Sequence, residues 1–245
     1  MKSVFTFCIF ICLAAPVFFP PLLSGADRTC EITLQFAAPG TNPQDLTWDG
    51  QHLWNVDDDT DTIYKLDPLN GNVLLSYSSP GSSPRGLVFD GTYLWNSDES
   101  THKIYKMIPE TGQVITMIDV PTLDINGEPS PLGGLAWYSG FLWSSFKAGW
   151  SSRMNQVDPS GGSVTKYYFT KGIPCALTSS GSYLWSGGDE MGLGQGTVYK
   201  YDISNGLYIS HFDTPGSYPT GLAYDSPFMW VVDKETLTIY KLTIE

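Results

Sequence analysis

Histidine is scarce in this sequence, with three residues among 245. The three occupy unrelated positions of the internal repeats described below: His52, His102 and His211. Zinc sites and Ser/His/Asp triads need histidines that converge on one place. Neither kind of site is therefore predicted.

Basic residues are also few. The chain has 13 Lys and Arg against 25 Asp and Glu, which gives a formal net charge of −12. A protein of this charge repels polyanions and anionic membrane surfaces. Nucleic acid is excluded as an expected partner.

The N-terminal segment is typical of a secretory signal peptide. A single basic residue, Lys2, precedes a mostly apolar stretch over residues 4–17, and small residues follow at 24–26. Prolines at 16, 20 and 21 would break a membrane-spanning helix. We expect cleavage after about Ala26, a secreted or periplasmic location, and no membrane span after cleavage.

The remaining 27–245 is predicted to form a single domain. The whole chain contains 25 Gly, 17 Pro, 8 Trp and 14 Tyr, a composition that indicates many short strands and turns. Cys8 and Cys12 leave with the signal peptide, so Cys30 and Cys175 remain. The architecture below places them on an outer and an inner strand, which favours two separate thiols over a disulfide.

Five copies of one unit set the fold. In each copy a Leu precedes a Trp by eight residues, and the Trp residues are Trp54, Trp95, Trp143, Trp185 and Trp230. Each copy reads as four short strands, and nothing reads as a helix longer than a turn. The spacing is the blade length of a β-propeller. The repeats are predicted at about 43–83, 84–130, 131–172, 173–218, and 219–245 together with 30–42.

The last copy ends after its third strand, and an unmatched strand-like segment at 30–36 precedes the first. This segment resembles the fourth strands of the other copies. We expect it to complete blade five and close the ring, which removes exposed sheet edges. The repeated Trp could form a carbohydrate-stacking surface, but one aromatic at a fixed position of every blade favours a core between blades.

Insertions fall on one face of the predicted disc. They lie at residues 121–131, 146–152 and 187–196, in blade-to-blade connections and in loops between second and third strands. Both kinds of connection reach the same face, which we call the variable face. Function is expected there, because sites lie on loops carried by a rigid scaffold.

Acidic residues recur on the variable face. Asp57, Asp98 and Asp233 each stand three residues after the blade Trp, and Asp189 is offset by one. A ring of carboxylates could bind calcium, whereas each Asp could instead cap its own turn, which is the reading we favour. Residues 57–61 resemble the start of a calcium loop but lack its Gly and closing Glu.

The residues two before each repeat Leu begin the innermost strands and are predicted to ring the mouth of the central channel. They are Gln44, Arg85, Gly133, Cys175 and Thr220. Arg85 is the best anchor for a carboxylate, with Asp45 and Asp98 as candidate acid or base partners. The alternative for Arg85 is an ordinary surface ion pair.

At these residues the sequence resembles the plant and bacterial glutamine cyclotransferases. Residues 42–46 resemble the start of that family's first blade, and residues 220–225 with 232–234 resemble its last. The resemblance implies a secreted five-bladed propeller that forms N-terminal pyroglutamate with release of ammonia. It also points to Gln44, Thr220 and Lys234 as ligand-binding residues.

The second blade departs from that family's pattern. Where the family carries a Glu as the acid/base group, this sequence has Arg85. An Arg cannot shuttle a proton, so Asp45 or Asp98 would have to replace that group. The repeats also look like the wider group of secreted NHL-like and lyase-like propellers, many of which only bind.

The sequence therefore predicts an exported propeller that binds a peptide, glycan or protein at its variable face. The alternatives are a cyclotransferase-like enzyme and a lactonase- or lyase-like propeller, of which a lactonase would need a metal. No cofactor is firmly predicted. Calcium is the candidate, with Asp57, Asp98, Asp189 and Asp233 as weak ligand candidates.

Overall fold

The computed structural model describes residues 30–121, 131–147, 152–189 and 194–244. Every regular element in these segments is a β-strand, and the strands β1 to β20 form five antiparallel sheets of four. The predicted all-β, five-bladed propeller is confirmed. No helix in the described segments is long and apolar enough to cross a membrane. The predicted signal peptide, residues 1–26, lies outside the described residues.

Each blade is an antiparallel meander whose first strand lies innermost. Blade 1 contains β2 (Pro43–Trp48), β3 (Leu53–Asp57), β4 (Thr62–Leu66) and β5 (Val73–Ser78). Blade 2 contains β6 (Pro84–Phe89), β7 (Leu94–Asp98), β8 (Lys103–Met107) and β9 (Val114–Asp119). Blade 3 contains β10 (Leu132–Tyr138), β11 (Phe141–Phe146), β12 (Arg153–Val157) and β13 (Val164–Phe169).

Blade 4 contains β14 (Ile173–Ser180), β15 (Tyr183–Asp189), β16 (Gly196–Asp202) and β17 (Tyr208–Asp213). Blade 5 contains β18 (Pro219–Asp225), β19 (Phe228–Asp233), β20 (Thr238–Thr243) and β1 (Glu31–Ala37). The N-terminal strand β1 pairs with β20, from Glu31 opposite Thr243 to Ala37 opposite Thr238. The ring therefore closes as the sequence predicts.

Burial follows strand position within the blade. The second strands β3 and β7 are buried along their whole length, whereas the outer strands β5 and β9 are mostly exposed. Each of these strands begins with an apolar Leu-Trp pair, and the buried Asn that follows donates to a main-chain carbonyl oxygen of the inner strand: Asn55 to Asp45 and Asn96 to Gly86. The tight turns before them use Gly50 and Gly91, whose φ values of 95° and 98° favour glycine.

The blade Trp residues fill the seams between blades. Trp54 packs with Leu87 and Leu94 of the next blade, and Trp230 packs with Leu46 and Leu53 across the closure of the ring. The same pairing of one blade's Trp with the next blade's leucines recurs at the other three seams. The predicted aromatic core between blades is confirmed.

The two remaining cysteines are separate thiols. Cys30 is half-buried, and its Sγ donates to the carbonyl oxygen of Asp213 at 3.1 Å. Cys175 is buried at the start of an inner strand. This agrees with the expectation drawn from their strand positions.

Candidate functional site

A β-bulge interrupts the start of the innermost strand in every blade. The register between first and second strands shifts between Pro43 and Asp45 in blade 1, and at the equivalent point of the other four blades. Bulges turn a side chain out of the regular pleat. The residues turned out are those predicted to ring the channel mouth: Gln44, Arg85, Gly133, Cys175 and Thr220.

These five residues line one cavity of about 300 Å³, which we call the axial cavity. Its wall also includes Glu99, Lys147 and Lys234, and each of these directly follows the second strand of its blade. The cavity therefore opens on the variable face. The four residues predicted to bind ligand lie together in its lining: Gln44, Arg85, Thr220 and Lys234.

Asp45 lies on the propeller axis and is completely buried. Its Oδ1 accepts hydrogen bonds from the main-chain N–H of Leu46 at 2.9 Å and Leu222 at 3.4 Å. Its Oδ2 accepts from the N–H of Leu87 at 2.9 Å and Leu135 at 3.1 Å. Four of the five blades thus donate to one carboxyl group.

Space for this carboxyl group exists because the equivalent residues of the other blades are small. They are Gly86, Gly134, Ala176 and Gly221. A Cβ built on Gly221 would lie 2.6 Å from the Cα of Asp45, and one on Gly86 would lie 2.6 Å from the carbonyl oxygen of Gly133. The axis therefore accommodates a single side chain at this level, and that side chain is Asp45.

Burial raises the pKa of Asp45 well above its usual range, because the surrounding strands remove water from the carboxylate. The four N–H donors act in the opposite direction and do not cancel this desolvation. Asp45 is not part of the cavity lining. The sequence proposed Asp45 as an acid or base, and the structure gives it the contacts of a group that joins blades.

Arg85 is held between two carboxylates. Its Nε donates to Glu99 Oε2 at 2.7 Å and its Nη1 donates to Asp58 Oδ2 at 2.8 Å. Desolvation raises the pKa of Asp58, against the lowering effect of the Arg85 charge. Arg85 thus links a loop of blade 1 to blade 2, and most of its charge is matched within the protein.

Lys234 differs from Arg85 in its surroundings. Its ammonium forms no salt bridge within the described segments, and its charge acts on Asp58 at longer range. Gln44 Nε2 donates to Asn42 Oδ1 at 2.6 Å, and Thr220 Oγ1 donates to the carbonyl oxygen of Pro43 at 2.8 Å. Gln44 and Thr220 therefore also tie the cavity rim together.

Asp57, Asp98 and Asp233 are each buried at the last position of a second strand. One oxygen of Asp57 accepts from Asn42 N at 2.7 Å, and the other accepts from Thr60 N at 3.0 Å. Asp98 and Asp233 repeat this double attachment in blades 2 and 5. The turn-capping reading of these carboxylates agrees with their contacts.

A group of three or more Asp, Glu, His or Cys residues able to hold a metal is absent from the described segments. The oxygens of Asp57, Asp98 and Asp233 accept hydrogen bonds from N–H and O–H groups. Asp189 lies at the end of β15, and its side chain falls outside the described part of the protein.

Sequence reasoning missed a motif that belongs to these turns. Blades 1, 2 and 5 are preceded by Pro-Gly-x-x-Pro, whose glycines are Gly40, Gly81 and Gly216. A Cβ on Gly81 would lie 2.2 Å from Cγ of Asp98, and the other two glycines are equally close to Asp57 and Asp233. The constant 17-residue spacing from Gly to Asp was the available signal. Glu99 and Lys147 were also missed, although each stands four residues after its blade Trp, the same repeat position as Lys234.

Burial raises the pKa of Asp98, but hydrogen bonds from Ser100, Ser83 and Thr101 outweigh that effect and lower the pKa. Asp98 does not line the axial cavity. Its candidacy as an acid or base stays a prediction from sequence.

Comparisons with known proteins identify the fold. The crystal structure of Myxococcus xanthus glutaminyl cyclase matches with a TM-score of 0.71 and 13% identity, over 89% of this chain and 98% of that one. Kuenenia stuttgartiensis hydrazine synthase matches with a TM-score of 0.49 and 15% identity, over 81% of this chain and 57% of that one. No protein-family model and no curated protein sequence matches the chain. The chain is thus similar in fold to a glutaminyl cyclase, as the sequence resemblance implied.

We expect Asp45→Asn to destabilise the protein in a pH-dependent way. In the variant, the main-chain N–H groups that face one carboxyl oxygen would face an amide NH₂, which cannot accept a hydrogen bond. We expect this to lower the free energy of unfolding by about 2 kcal/mol near pH 5. Because the pKa of Asp45 is raised, wild-type stability falls as pH rises from about 4 toward the folded pKa, and the variant lacks this dependence. The difference in unfolding free energy, measured by urea denaturation, should narrow as pH increases.

Asp119→Asn is the matched control, because Asp119 is an exposed carboxylate on β9. It should change stability by less than about 0.5 kcal/mol across the same pH series. A constant difference between Asp45→Asn and wild type would contradict the raised pKa.

Gly81→Ala should lower the unfolding free energy by about 2 kcal/mol, because the new Cβ would overlap the Asp98 carboxylate. Gly161→Ala is the control, since no atom lies within 4 Å of a Cβ built there. It should remain within about 0.5 kcal/mol of wild type in urea denaturation. Equal effects of the two substitutions would argue against the Gly and Asp pairing.

Proposed function

We propose that this protein is an exported binding module that holds the carboxylate end of a peptide in the axial cavity. The observation that carries the proposal is the charge of the lining. Three cationic side chains, Arg85, Lys147 and Lys234, stand beside one carboxylate, Glu99. The chain as a whole has a net charge of −12.

A local excess of positive charge in an acidic protein favours an anionic ligand at that place. Asp58 offsets part of the Arg85 charge from outside the lining. Lys234 is therefore the group we assign to the ligand carboxylate. Gln44 and Thr220 are polar neighbours at the rim that can accept or donate hydrogen bonds to a peptide.

The shape of the cavity supports recognition of a chain end. Beneath the lining, N–H groups from four blades close around the Asp45 carboxyl group. A peptide can therefore enter from the variable face but cannot thread through the axis. A volume of about 300 Å³ is at the lower end of ordinary ligand pockets, which fits one or two terminal residues.

Export belongs to the same proposal and is supported by the N-terminal sequence alone. A basic residue, an apolar stretch and small residues at 24–26 are typical of a secretory signal. A secreted or periplasmic binding module would meet peptides, glycans and proteins as ligands. The cationic lining favours peptide carboxylates among them.

The test compares N-acetyl-Ala-Ala with its C-terminal amide by isothermal titration calorimetry. The two probes differ only in the terminal charge, so we expect the acid to bind at least about tenfold more tightly. Lys234→Gln should remove about tenfold of the acid's affinity and leave the amide unchanged. Lys103→Gln is the control, because Lys103 pairs with Asp119 on the outer part of blade 2. Equal binding of acid and amide would overturn the proposal.

A second candidate function is cyclisation of N-terminal glutamine. Two observations favour it: the fold is similar to that of a glutaminyl cyclase, and Glu99 is the only carboxylate that lines the cavity among the described residues. In this reaction Glu99 would accept a proton from the attacking amine and return it to the departing ammonia. Its hydrogen bond from Arg85 would orient the carboxylate.

Mass spectrometry of a peptide with N-terminal glutamine tests this candidate through the mass of ammonia that is lost. An acceleration over the spontaneous reaction that falls at least about 100-fold in Glu99→Gln would support it. Asp98→Asn is the matched comparison, because Asp98 precedes Glu99 but lies outside the cavity lining. No acceleration by the folded protein would reject cyclisation and leave the binding module.

A further inference from the structure

The outermost strand of each blade has one open edge. The hydrogen-bonded strand order ends at β5 in blade 1, and it ends at β9, β13, β17 and β1 in the other four blades. Among the described residues, no further strand pairs with any of these five. An open edge presents main-chain N–H and C=O groups that can pair with a strand of another chain.

Four of the five outer strands carry an exposed charged residue, which is a common protection of such edges. These residues are Glu31 in β1, Asp119 in β9, Lys166 in β13 and Asp213 in β17. A charge at an open edge disfavours pairing with a second copy, because pairing would bring like charges together or remove them from water. The outer strand of blade 1 lacks this protection.

β5 has the sequence Val-Leu-Leu-Ser-Tyr-Ser, which contains neither a charged residue nor a proline. Val73 and Leu74 are 48% and 53% exposed, and Leu69 in the turn before β5 is 79% exposed. The rim of blade 1 therefore combines an open strand edge with exposed apolar side chains. This combination is typical of a strand that pairs with another chain.

The protein also fixes the position of β5 before any partner binds. β4 pairs with β5 along its length, and Leu75 and Tyr77 pack against the seam between blades 1 and 2. The ring of Tyr77 lies 6.3 Å from that of Trp54, and its hydroxyl donates to the carbonyl oxygen of Pro109 at 3.2 Å. Pairing at this edge therefore requires little further ordering of the chain.

The sequence of β5 is suited to pairing with itself. Directly opposite residues of an antiparallel pair lie on the same face of the sheet. Pairing centred on Ser76 sets Leu75 opposite Tyr77 of the second copy, and Leu74 opposite Ser78 of the second copy. An aliphatic–aromatic pair across strands is stabilising, and no charge meets another in this register.

We propose that β5 pairs antiparallel with β5 of a second copy of this chain, which joins two blades into one sheet of eight strands. Among the five outer strands only β5 is uncharged, so the assembly closes at two copies. We expect a dissociation constant of about 10 µM, because interfaces of this small size are usually weak. No residue of β5 lines the axial cavity, so the dimer is independent of the function proposed there.

Sedimentation equilibrium of the purified protein from about 2 to 200 µM tests the dimer. We expect an equilibrium between monomer and dimer without larger species. The chain has a net charge of −12, so salt should screen the repulsion between copies and tighten the dimer several-fold between about 50 and 500 mM NaCl. A monomer at every concentration, or a dimer that weakens as salt rises, would overturn the proposal.

Ser76→Lys tests the edge itself, because pairing centred on this exposed position would bring two ammonium groups together. The dimer should weaken at least about tenfold. Met117→Lys is the matched control and should leave the dimer unchanged, since Met117 pairs with Tyr105 in blade 2 as Ser76 pairs with Tyr64 in blade 1. Undiminished association of Ser76→Lys, or equal weakening by Met117→Lys, would argue for a contact elsewhere.

Ser76→Cys gives a positive signal for the same contact. Opposite residues of an antiparallel pair have Cα atoms about 4.5 to 5.5 Å apart, a distance that a disulfide can bridge. Mild oxidation should therefore produce a covalent dimer in non-reducing electrophoresis, and Met117→Cys should remain monomeric under the same treatment. Failure of Ser76→Cys to cross-link at a concentration where the wild type is dimeric would refute pairing through β5.

Discussion

The Asp45 carboxyl group, with the main-chain N–H groups of Leu46, Leu87, Leu135 and Leu222, is the interaction that organises this propeller. It joins four inner strands, which are also linked by packing at the seams and by single hydrogen bonds such as the one from Thr220 Oγ1 to the carbonyl oxygen of Pro43. The four leucines and Asp45 are buried, so each N–H depends on the carboxyl group for its partner. The cost is the desolvation that raises the pKa of Asp45.

The axial cavity depends on that interaction. Gln44 immediately precedes Asp45, and Arg85 and Thr220 precede the residues at the equivalent positions of their blades. Because the inner strands are fixed around Asp45, the bulged residues have fixed positions at the rim. The floor of the cavity is closed for the same reason. Because the Asp45 side chain fills the axis between four small residues, the cavity is a closed polar pocket rather than an open channel.

Most of the acidic residues analysed in the described segments have structural contacts. Asp57, Asp98 and Asp233 hold loops, while Asp49 and Asp90 hold turns and accept the indole N–H of a Trp. A carboxylate is well suited to this work because it accepts several N–H and O–H groups at once. The acidity of the chain therefore does not make its cavity acidic. The lining of the axial cavity instead gathers Lys147, Lys234 and Arg85.

The axial cavity lies where one blade departs from the shared pattern. Asp45 stands where three other blades have glycine and one has alanine. The residues that the blades share fill the seams between blades and the turns, so their role is to stabilise the fold. Positions where one blade has a different residue change the shape of a cavity. On this fold, such positions are the ones that indicate function.

The sequence by itself determined the blade number, the closure of the ring by the N-terminal strand and the Trp seams. These follow from local strand periodicity and a repeat of constant register, which neighbouring residues alone encode. It also identified Gln44, Arg85 and Thr220 as residues of one rim, and the family resemblance added Lys234 as a ligand-binding candidate. Only the tertiary structure decided what these groups contact. The N–H donors of Asp45 come from up to 177 residues away, and Arg85 meets Asp58 27 residues away. Such meetings depend on the curvature that brings five blades around one axis, and no spacing along the chain encodes that geometry.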